Sequence, residues 1–140
     1  MSNNHNIEYS LDCEGSERTI FFVLRGHELR VTLLERKDPK DPGPDWTGAT
    51  GLLCRKDCEK AAEDLREWIS TRHPMVITPN FTNLVLYASE TLFAWRAEGE
   101  EAVWYKAKAD VDHVNVHVES VRDANYLHDQ FMHFTRLLRR

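Results

Sequence analysis

The stretch that most constrains the fold of this chain lies at positions 113–119, where polar and apolar residues alternate strictly. Valine occupies every second position, and His113, Asn115, His117 and Glu119 occupy the positions between. Because successive side chains of a β-strand point to opposite faces, the pattern predicts a strand with one buried and one wet face. Such strands are typical of antiparallel sheets, and the wet face of this one carries two imidazoles and a carboxylate.

Further segments carry strand signals and are separated by turn residues. After the predicted strand 19–24, Gly26 occupies the first position of a two-residue loop. Glycine suits a type II′ turn there, because it adopts a positive φ without strain. The glycine-containing segment 46–53 is predicted to be an edge strand. Short strands that follow one another from position 75 onward predict an antiparallel meander. The predicted strands cover residues 7–11, 19–24, 29–36, 46–53, 75–78, 84–88, 92–97, 103–108 and 111–118.

Two amphipathic helices are predicted, one in mid-chain and one near the C-terminus. Asp57 is expected to cap the first, which runs to about residue 71, and Ser120 with Asp123 resembles a capping box that opens a second helix over 121–138. Apolar residues at three-four spacing form a single stripe on each helix, so both are expected to pack on the sheet. The stripes are Cys58, Ala61, Ala62, Leu65, Trp68 and Ile69 on the first helix, and Ala124, Leu127, Phe131, Phe134 and Leu138 on the second.

The predicted fold class is therefore α+β: an antiparallel β-sheet of seven to nine strands, able to curl into a half-barrel, with both helices on the same face. A length of 140 residues suits one domain with its own core, so a single domain over 1–140 is predicted. The polar residues 1–6 are predicted to form a disordered tail. Segment 37–45 contains three prolines, which lack an amide donor and fix φ, so it is predicted to be an exposed loop.

Charge and composition exclude several classes of function. The formal net charge is −5 and no cluster of lysine or arginine is interleaved with aromatic residues, which argues against nucleic acid as a ligand. No signal peptide and no apolar run of membrane-spanning length is present, so no membrane partner is expected. The three cysteines are too few for a disulfide framework, which indicates a reducing cytoplasm. No cofactor is predicted.

An acidic surface suits a basic protein partner. Two acidic segments are predicted to be exposed and are the candidate contacts: the proline-rich loop 37–45 and a hairpin tip around residue 99. The candidate partner-binding residues are Asp38, Asp41, Asp45, Glu98, Glu100 and Glu101.

Metal binding is the main chemical alternative. His113 and His117 lie about 13 Å apart on a strand, which is too far for both to bind one ion. A site would need His117 with Glu119, or His113 with Asn115, and further ligands from a neighbouring strand. A solvated strand face explains the same residues. Cys54 and Cys58 have no second Cys/His pair at zinc-finger spacing, and Cys58 lies on the apolar stripe, where cysteine acts as a small hydrophobe.

One segment carries a resemblance to a known group of proteins. Leu65, Trp68 and Ile69 form a Leu-x-x-Trp-Ile helix motif, and residues 77–81 read Ile-Thr-Pro-Asn-Phe before a run of strands. Over residues 65–86 this order resembles small bacterial immunity proteins, including those paired with wall-associated polymorphic toxins. That group often has an acid before the proline, where this chain has Thr78. The resemblance implies a cytoplasmic, non-enzymatic protein that binds and blocks a toxin domain, and it transfers no toxin-binding residue.

The sequence thus predicts a small acidic cytoplasmic protein that neutralises a basic protein, such as a toxin or nuclease domain or a host-defence effector, by occluding its active or binding site. A phage-encoded inhibitor has the same physical profile. Two alternatives from other classes stay open. One is a metal-dependent enzyme that uses His117 and Glu119, and the other is a scaffold that forms a homodimer through the helix 121–138.

Overall fold

The computed structural model contains four strands, a helix, four further strands and a final helix in chain order. It describes residues 5–12, 16–36, 46–71, 82–88, 90–96, 101, 103–106 and 113–138; the predicted loop 37–45 and strand 75–78 lie outside these ranges. The α+β class is confirmed, and the described strands number eight, within the predicted range. The elements are β1 (His5–Leu11), β2 (Glu17–Arg25), β3 (Glu28–Arg36), β4 (Trp46–Leu53), α1 (Arg55–Thr71), β5 (Thr82–Tyr87), β6 (Glu90–Arg96), β7 (Val103–Lys106), β8 (His113–Val118) and α2 (Val121–Leu137).

The strands form two antiparallel sheets rather than the one predicted. A six-stranded sheet has the order β1-β2-β3-β4-β6-β7, and β5 pairs with β8 in a separate two-stranded ribbon. The predicted meander is therefore wrong for β5 and β8, which pair with each other, and is confirmed for the consecutive strands β6 and β7. Both strands of the ribbon carry an apolar row, and Leu84 lies opposite Val116 while Leu86 lies opposite Val114. Within the described residues β1 and β7 form the two edges of the larger sheet, which is not a closed barrel.

The first hairpin follows its local sequence closely. Gly26 has a φ of +64°, and no other described residue has a positive φ, so glycine takes the first loop position of a type II′ turn as predicted. Arg25 and Glu28 close the loop as a directly opposed pair. The two faces of β2 are covered unequally. Phe22 is fully buried on one face, whereas Phe21 on the opposite face is only partly buried.

β1 begins earlier than the alternation predicts. His5 is its first residue and lies opposite Leu24, so His5 and Asn6 belong to the sheet and not to the predicted tail. The His5 ring also meets the His133 ring edge-on, with centroids 5.5 Å apart. Strand pairing and this contact with α2 extend β1 by two residues that look like a polar tail in the sequence.

The prediction of an edge strand at 46–53 is wrong, because β4 lies between β3 and β6. Edge strands are usually protected by charges or proline, and β4 contains neither. Its glycines, Gly48 and Gly51, are buried instead of relieving an exposed edge. The Thr50 hydroxyl, also buried, is 2.8 Å from the hydroxyl of Thr32 on β3, so small residues fill the middle of the sheet here.

Side-chain caps start both helices. Asp57 is predicted to be the cap of α1, but the helix begins at Arg55, so Asp57 is its third residue. Its Oδ2 accepts a hydrogen bond from the amide of Cys54, which precedes the helix, over 2.8 Å. The start of α2 is as predicted: the Ser120 hydroxyl accepts the Asp123 amide at 3.1 Å. The carboxylate of Asp123 does not complete the box, because it binds β1 instead.

Both helices pack against the same face of the six-stranded sheet. The Phe22 ring meets the rings of Phe131 and Phe134, with centroids 5.4 and 5.3 Å apart. Leu65 and Trp68 of α1 join the same buried cluster, so the predicted stripes on both helices are confirmed as core. Neither described helix is long and apolar enough to span a membrane.

Candidate functional site

The ribbon formed by β5 and β8 presents the polar face that the sequence emphasises. The three valines of β8 are buried against the core, as predicted. His113, Asn115 and His117 lie on the opposite face, and none of the three is buried. On that face His113 pairs with Tyr87 of β5, with ring centroids 6.3 Å apart.

The predicted metal candidates, His117 and Glu119, lie next to each other. Nε2 of His117 lies 3.5 Å from Oε1 of Glu119, a distance at the limit of a hydrogen bond. In the described parts of the chain, no group of three or more histidine, cysteine or acidic side chains is placed to hold a metal ion. Within the described ranges, the metal-site hypothesis for His117 and Glu119 thus gains no third ligand.

An open groove runs between α1 and β5, next to this ribbon face. Its helix wall comes from residues spaced three or four apart, which share one side of a helix. Its strand wall comes from two residues spaced two apart, which share one face of a strand. The groove has a volume of about 380 Å³. The described residues that line this α1–β5 groove are Lys60, Asp64, Glu67, Trp68, Thr71, Val85 and Tyr87.

An aromatic ring and carboxylates share the groove. Tyr87 is 47% exposed, one of few large apolar side chains in the described structure that reach solvent to that extent. Nζ of Lys60 donates to Oδ1 of Asp64 over 2.8 Å, and this hydrogen bond raises the pKa of Lys60. Glu67 is exposed and has no cation partner among the described side chains. The described lining thus carries one cation, Lys60, against the two carboxylates of Asp64 and Glu67, so this part of the groove is acidic.

A second cluster, missed at the sequence level, joins the start of α2 to β1. Asp123 is fully buried, and its carboxylate accepts the Tyr9 hydroxyl at 2.5 Å and the Asp12 amide at 2.6 Å. Arg122 binds Asp12 at 2.7 Å and Asp123 at 3.3 Å, and its guanidinium lies 5.6 Å from the centre of the Tyr9 ring. The cluster satisfies a buried carboxylate and fastens a helix to a strand, which is a structural role.

Burial and hydrogen bonding shift the titration of this cluster. Burial, followed by the hydrogen bond to Asp123, raises the pKa of Tyr9 well above its ordinary value. The Tyr126 ring stacks on the Tyr9 ring at 3.8 Å, and burial raises the pKa of Tyr126 as well. Both phenols stay protonated at neutral pH, so neither is a base there. Of the residues in this cluster, Asp123 alone carries a signal in the sequence, because it lies three residues after Ser120 in a capping-box pattern.

Cys58 behaves as the sequence predicts. Its side chain is fully buried on the apolar side of α1, and burial raises the pKa of its thiol to about 12. A thiol that stays protonated is a poor nucleophile and a poor metal ligand. Cys54, at the helix cap, is free and half-buried.

The acidic residues predicted to contact a partner are not joined to the groove by the described structure. Of the six, Glu101 alone is described, and it is exposed. The other five lie outside the described residues: Asp38, Asp41, Asp45, Glu98 and Glu100.

The sequence signal for Tyr87 is weak. Leu84, Val85, Leu86 and Tyr87 are all apolar or aromatic, so no alternation distinguishes a wet face on β5. Among the aromatic residues of β6, Phe93 is half-buried and not a prominent surface ring.

Comparison with known proteins found no match: no family model, no curated protein and no solved structure matches this chain.

Proposed function

We propose that this chain is a small acidic binding protein that neutralises another protein by covering a basic active or binding site. The observation that carries the proposal is the exposed ring of Tyr87 in the acidic α1–β5 groove. Tyrosine is enriched at the energetic centres of protein interfaces, because it covers a large area at a small cost in side-chain entropy. The groove is open and holds polar and apolar groups side by side, as an interface does.

Charge supports a basic partner. The chain carries a formal net charge of −5, and the exposed carboxylate of Glu67 lines the groove from α1. Acidic surfaces speed the encounter with a basic partner and disfavour acidic competitors. The effect weakens at high salt, which makes it measurable.

The immunity-like segment supports the neutralising role, and it overlaps the groove without transferring any toxin-binding residue. Residues 65–86 include Glu67, Trp68, Thr71 and Val85, four residues of the groove lining. On this proposal the chain acts in the cytoplasm, either as an immunity protein against a toxin domain or as an inhibitor of a host-defence effector. In both cases the mechanism is occlusion, without a chemical step.

The test is affinity capture from the native host with matched surface variants. Wild-type protein is expected to retain one basic partner at stoichiometric ratio, and the isolated partner to lose its activity in the complex. Tyr87→Ala is expected to weaken capture strongly, because loss of an interface centre typically reduces affinity by a factor of ten or more, on the order of 2 kcal/mol. Glu28→Lys, on the exposed β2–β3 hairpin, is the matched control and is expected to bind normally.

Two results of the capture experiment would contradict the proposal. If Tyr87→Ala and Glu28→Lys retain the same partner with the same salt dependence, the groove is not the interface. If the bound partner keeps its full activity, the chain does not neutralise it.

A further inference from the structure

The α1–β5 groove combines three features that together fit one chemical group. Carboxylates lie on the helix wall, an exposed phenol ring lies on the strand wall, and the apolar side chains of Trp68 and Val85 also line the groove. A planar cation with an aliphatic stem matches all three, because it stacks on a ring, forms charged hydrogen bonds and buries its methylenes.

The internal ion pair of the groove leaves one carboxylate for such a cation. Lys60 is bound to Asp64 by a 2.8 Å hydrogen bond within a helical i, i+4 pair. Glu67 lies one turn further along α1, and within the described ranges no cation is paired with it. A cation entering the groove therefore finds Glu67 available without displacing Lys60.

We propose that the α1–β5 groove holds an arginine side chain of the partner, with its guanidinium on Glu67 and its plane against Tyr87. This inference rests on the proposed function, since it names the part of the partner that enters the site. Arginine fits better than lysine, because the guanidinium is planar, stacks on aromatic rings and presents several donors to a carboxylate. The ammonium of lysine is a strongly hydrated point charge, so its contact with the Tyr87 ring stabilises the complex less.

A direct binding measurement tests the inference without the partner. The probe is the peptide acetyl-Gly-Arg-Gly-amide, titrated into labelled protein while NMR follows the indole signal of Trp68 and the ring signals of Tyr87. Saturable shifts at both residues are expected. The lysine peptide is expected to bind more weakly, and the peptide with citrulline, the neutral isostere of arginine, to cause no shift at these residues.

Two matched variants assign the binding to the groove. Glu67→Gln is expected to raise the dissociation constant of the arginine peptide about tenfold, because a charged hydrogen-bond acceptor is removed. Glu63→Gln is the control: Glu63 is exposed on the same helix but does not line the groove, and its substitution is expected to leave binding unchanged. Both positions are at the surface, so neither change threatens the fold.

The inference is overturned if the citrulline peptide gives the same shifts, if the two glutamine variants bind equally, or if the arginine peptide shifts neither ring. In those cases the outcome of partner capture separates the two ideas. Capture that is still lost in Tyr87→Ala leaves the neutralising-binder proposal standing without an arginine in the groove. Capture that is unaffected removes both.

Discussion

The hydroxyl of Tyr9 donates a hydrogen bond to Oδ1 of Asp123 over 2.5 Å, which joins an edge strand to the first turn of the last helix across 114 positions of sequence. Asp123 is fully buried and also accepts the Asp12 amide. A buried carboxylate is tolerated only when its lone pairs are satisfied, so this contact determines where α2 begins on the sheet.

Removing that carboxylate is expected to destabilise the fold substantially. Asp123→Ala leaves the Tyr9 hydroxyl and the Asp12 amide without their acceptor, and we expect the free energy of unfolding to fall by about 3 kcal/mol. Tyr9→Phe removes one of the bonds and is expected to cost about 1 kcal/mol. Urea unfolding measures both. Tyr126→Phe, which keeps the stacked ring, is the control; an equal loss there would contradict the role given to the Tyr9 hydroxyl.

Stability is expected to fall in alkaline solution. The pKa of Cys58 is raised from its ordinary value of 9.0 to about 12, and the pKa of Tyr9 is raised as well. The unfolded chain therefore loses these protons at a lower pH than the folded chain does. The contribution of Cys58 to the free energy of unfolding is retained below pH 9 and decreases as the pH rises above it, by up to about 1.4 kcal/mol per pH unit. The contribution of Tyr9 decreases above its ordinary pKa of 10.0, and by less, because solvent screens this partly exposed group.

Urea unfolding at several pH values from 7 to 10.5 tests this dependence. Cys58→Ala is expected to lower stability at every pH, because the core loses volume, but to make the alkaline decline shallower. Cys54→Ala, at the half-buried helix cap, is the matched cysteine change. A decline equally steep in wild type and Cys58→Ala would show that this thiol does not contribute.

The ring of Phe131 is expected to be central to stability. It is fully buried against Phe22, so Phe131→Ala should lower the free energy of unfolding by about 3–5 kcal/mol. Asp129→Ala, exposed on the same helix, is expected to change it by less than about 0.5 kcal/mol. Thermal or urea unfolding compares the two, and similar losses would place Phe131 outside the core.

The burial of Phe131 also bears on the dimeric-scaffold alternative. The apolar stripe of α2 packs inside the domain, so a dimer formed through this helix would have to use its exposed polar side. That side carries Arg122, Asn125, Asp129, His133 and Arg136.

Lys60 is expected to limit the affinity of the groove for a cation. Lys60→Met removes the ammonium and releases Asp64, so the arginine peptide gains a second carboxylate and we expect about threefold tighter binding. Lys56→Met, exposed on the same helix but outside the groove lining, is the control with the same change of charge. Equal gains in both variants would indicate a general charge effect rather than local release of Asp64.

Local periodicity predicts the elements of this fold well. The alternation that ends at Val118 and the stripe from Ala124 to Leu138 each identify an element and its buried face, since burial follows directly from spacing. The turn at Gly26 is equally local, because its φ depends on one residue. The pairing of β5 with β8 is not local: several strands have compatible apolar rows, and tertiary packing selects among them.

The candidate site is harder to predict than the fold. Tyr87 lies in a uniformly apolar run, and its exposure depends on where α1 lies beside β5. The same holds for Glu67, whose significance arises from the strand across the groove rather than from its helical neighbours. A sequence pattern identifies the face of an element, but a groove is formed by two elements.

The order of strands has a consequence for folding kinetics. β1 to β4 pair in chain order through short connections, whereas β4 pairs with β6 only after the chain has made an excursion that carries α1 and β5. Closing so long a loop costs entropy before its contacts form, so we expect the β4–β6 pairing to follow the N-terminal hairpins. Both walls of the groove belong to that excursion. A nascent chain that has paired only its first four strands therefore has neither wall of the groove in place, and the groove forms only when α1 and β5 have folded against each other.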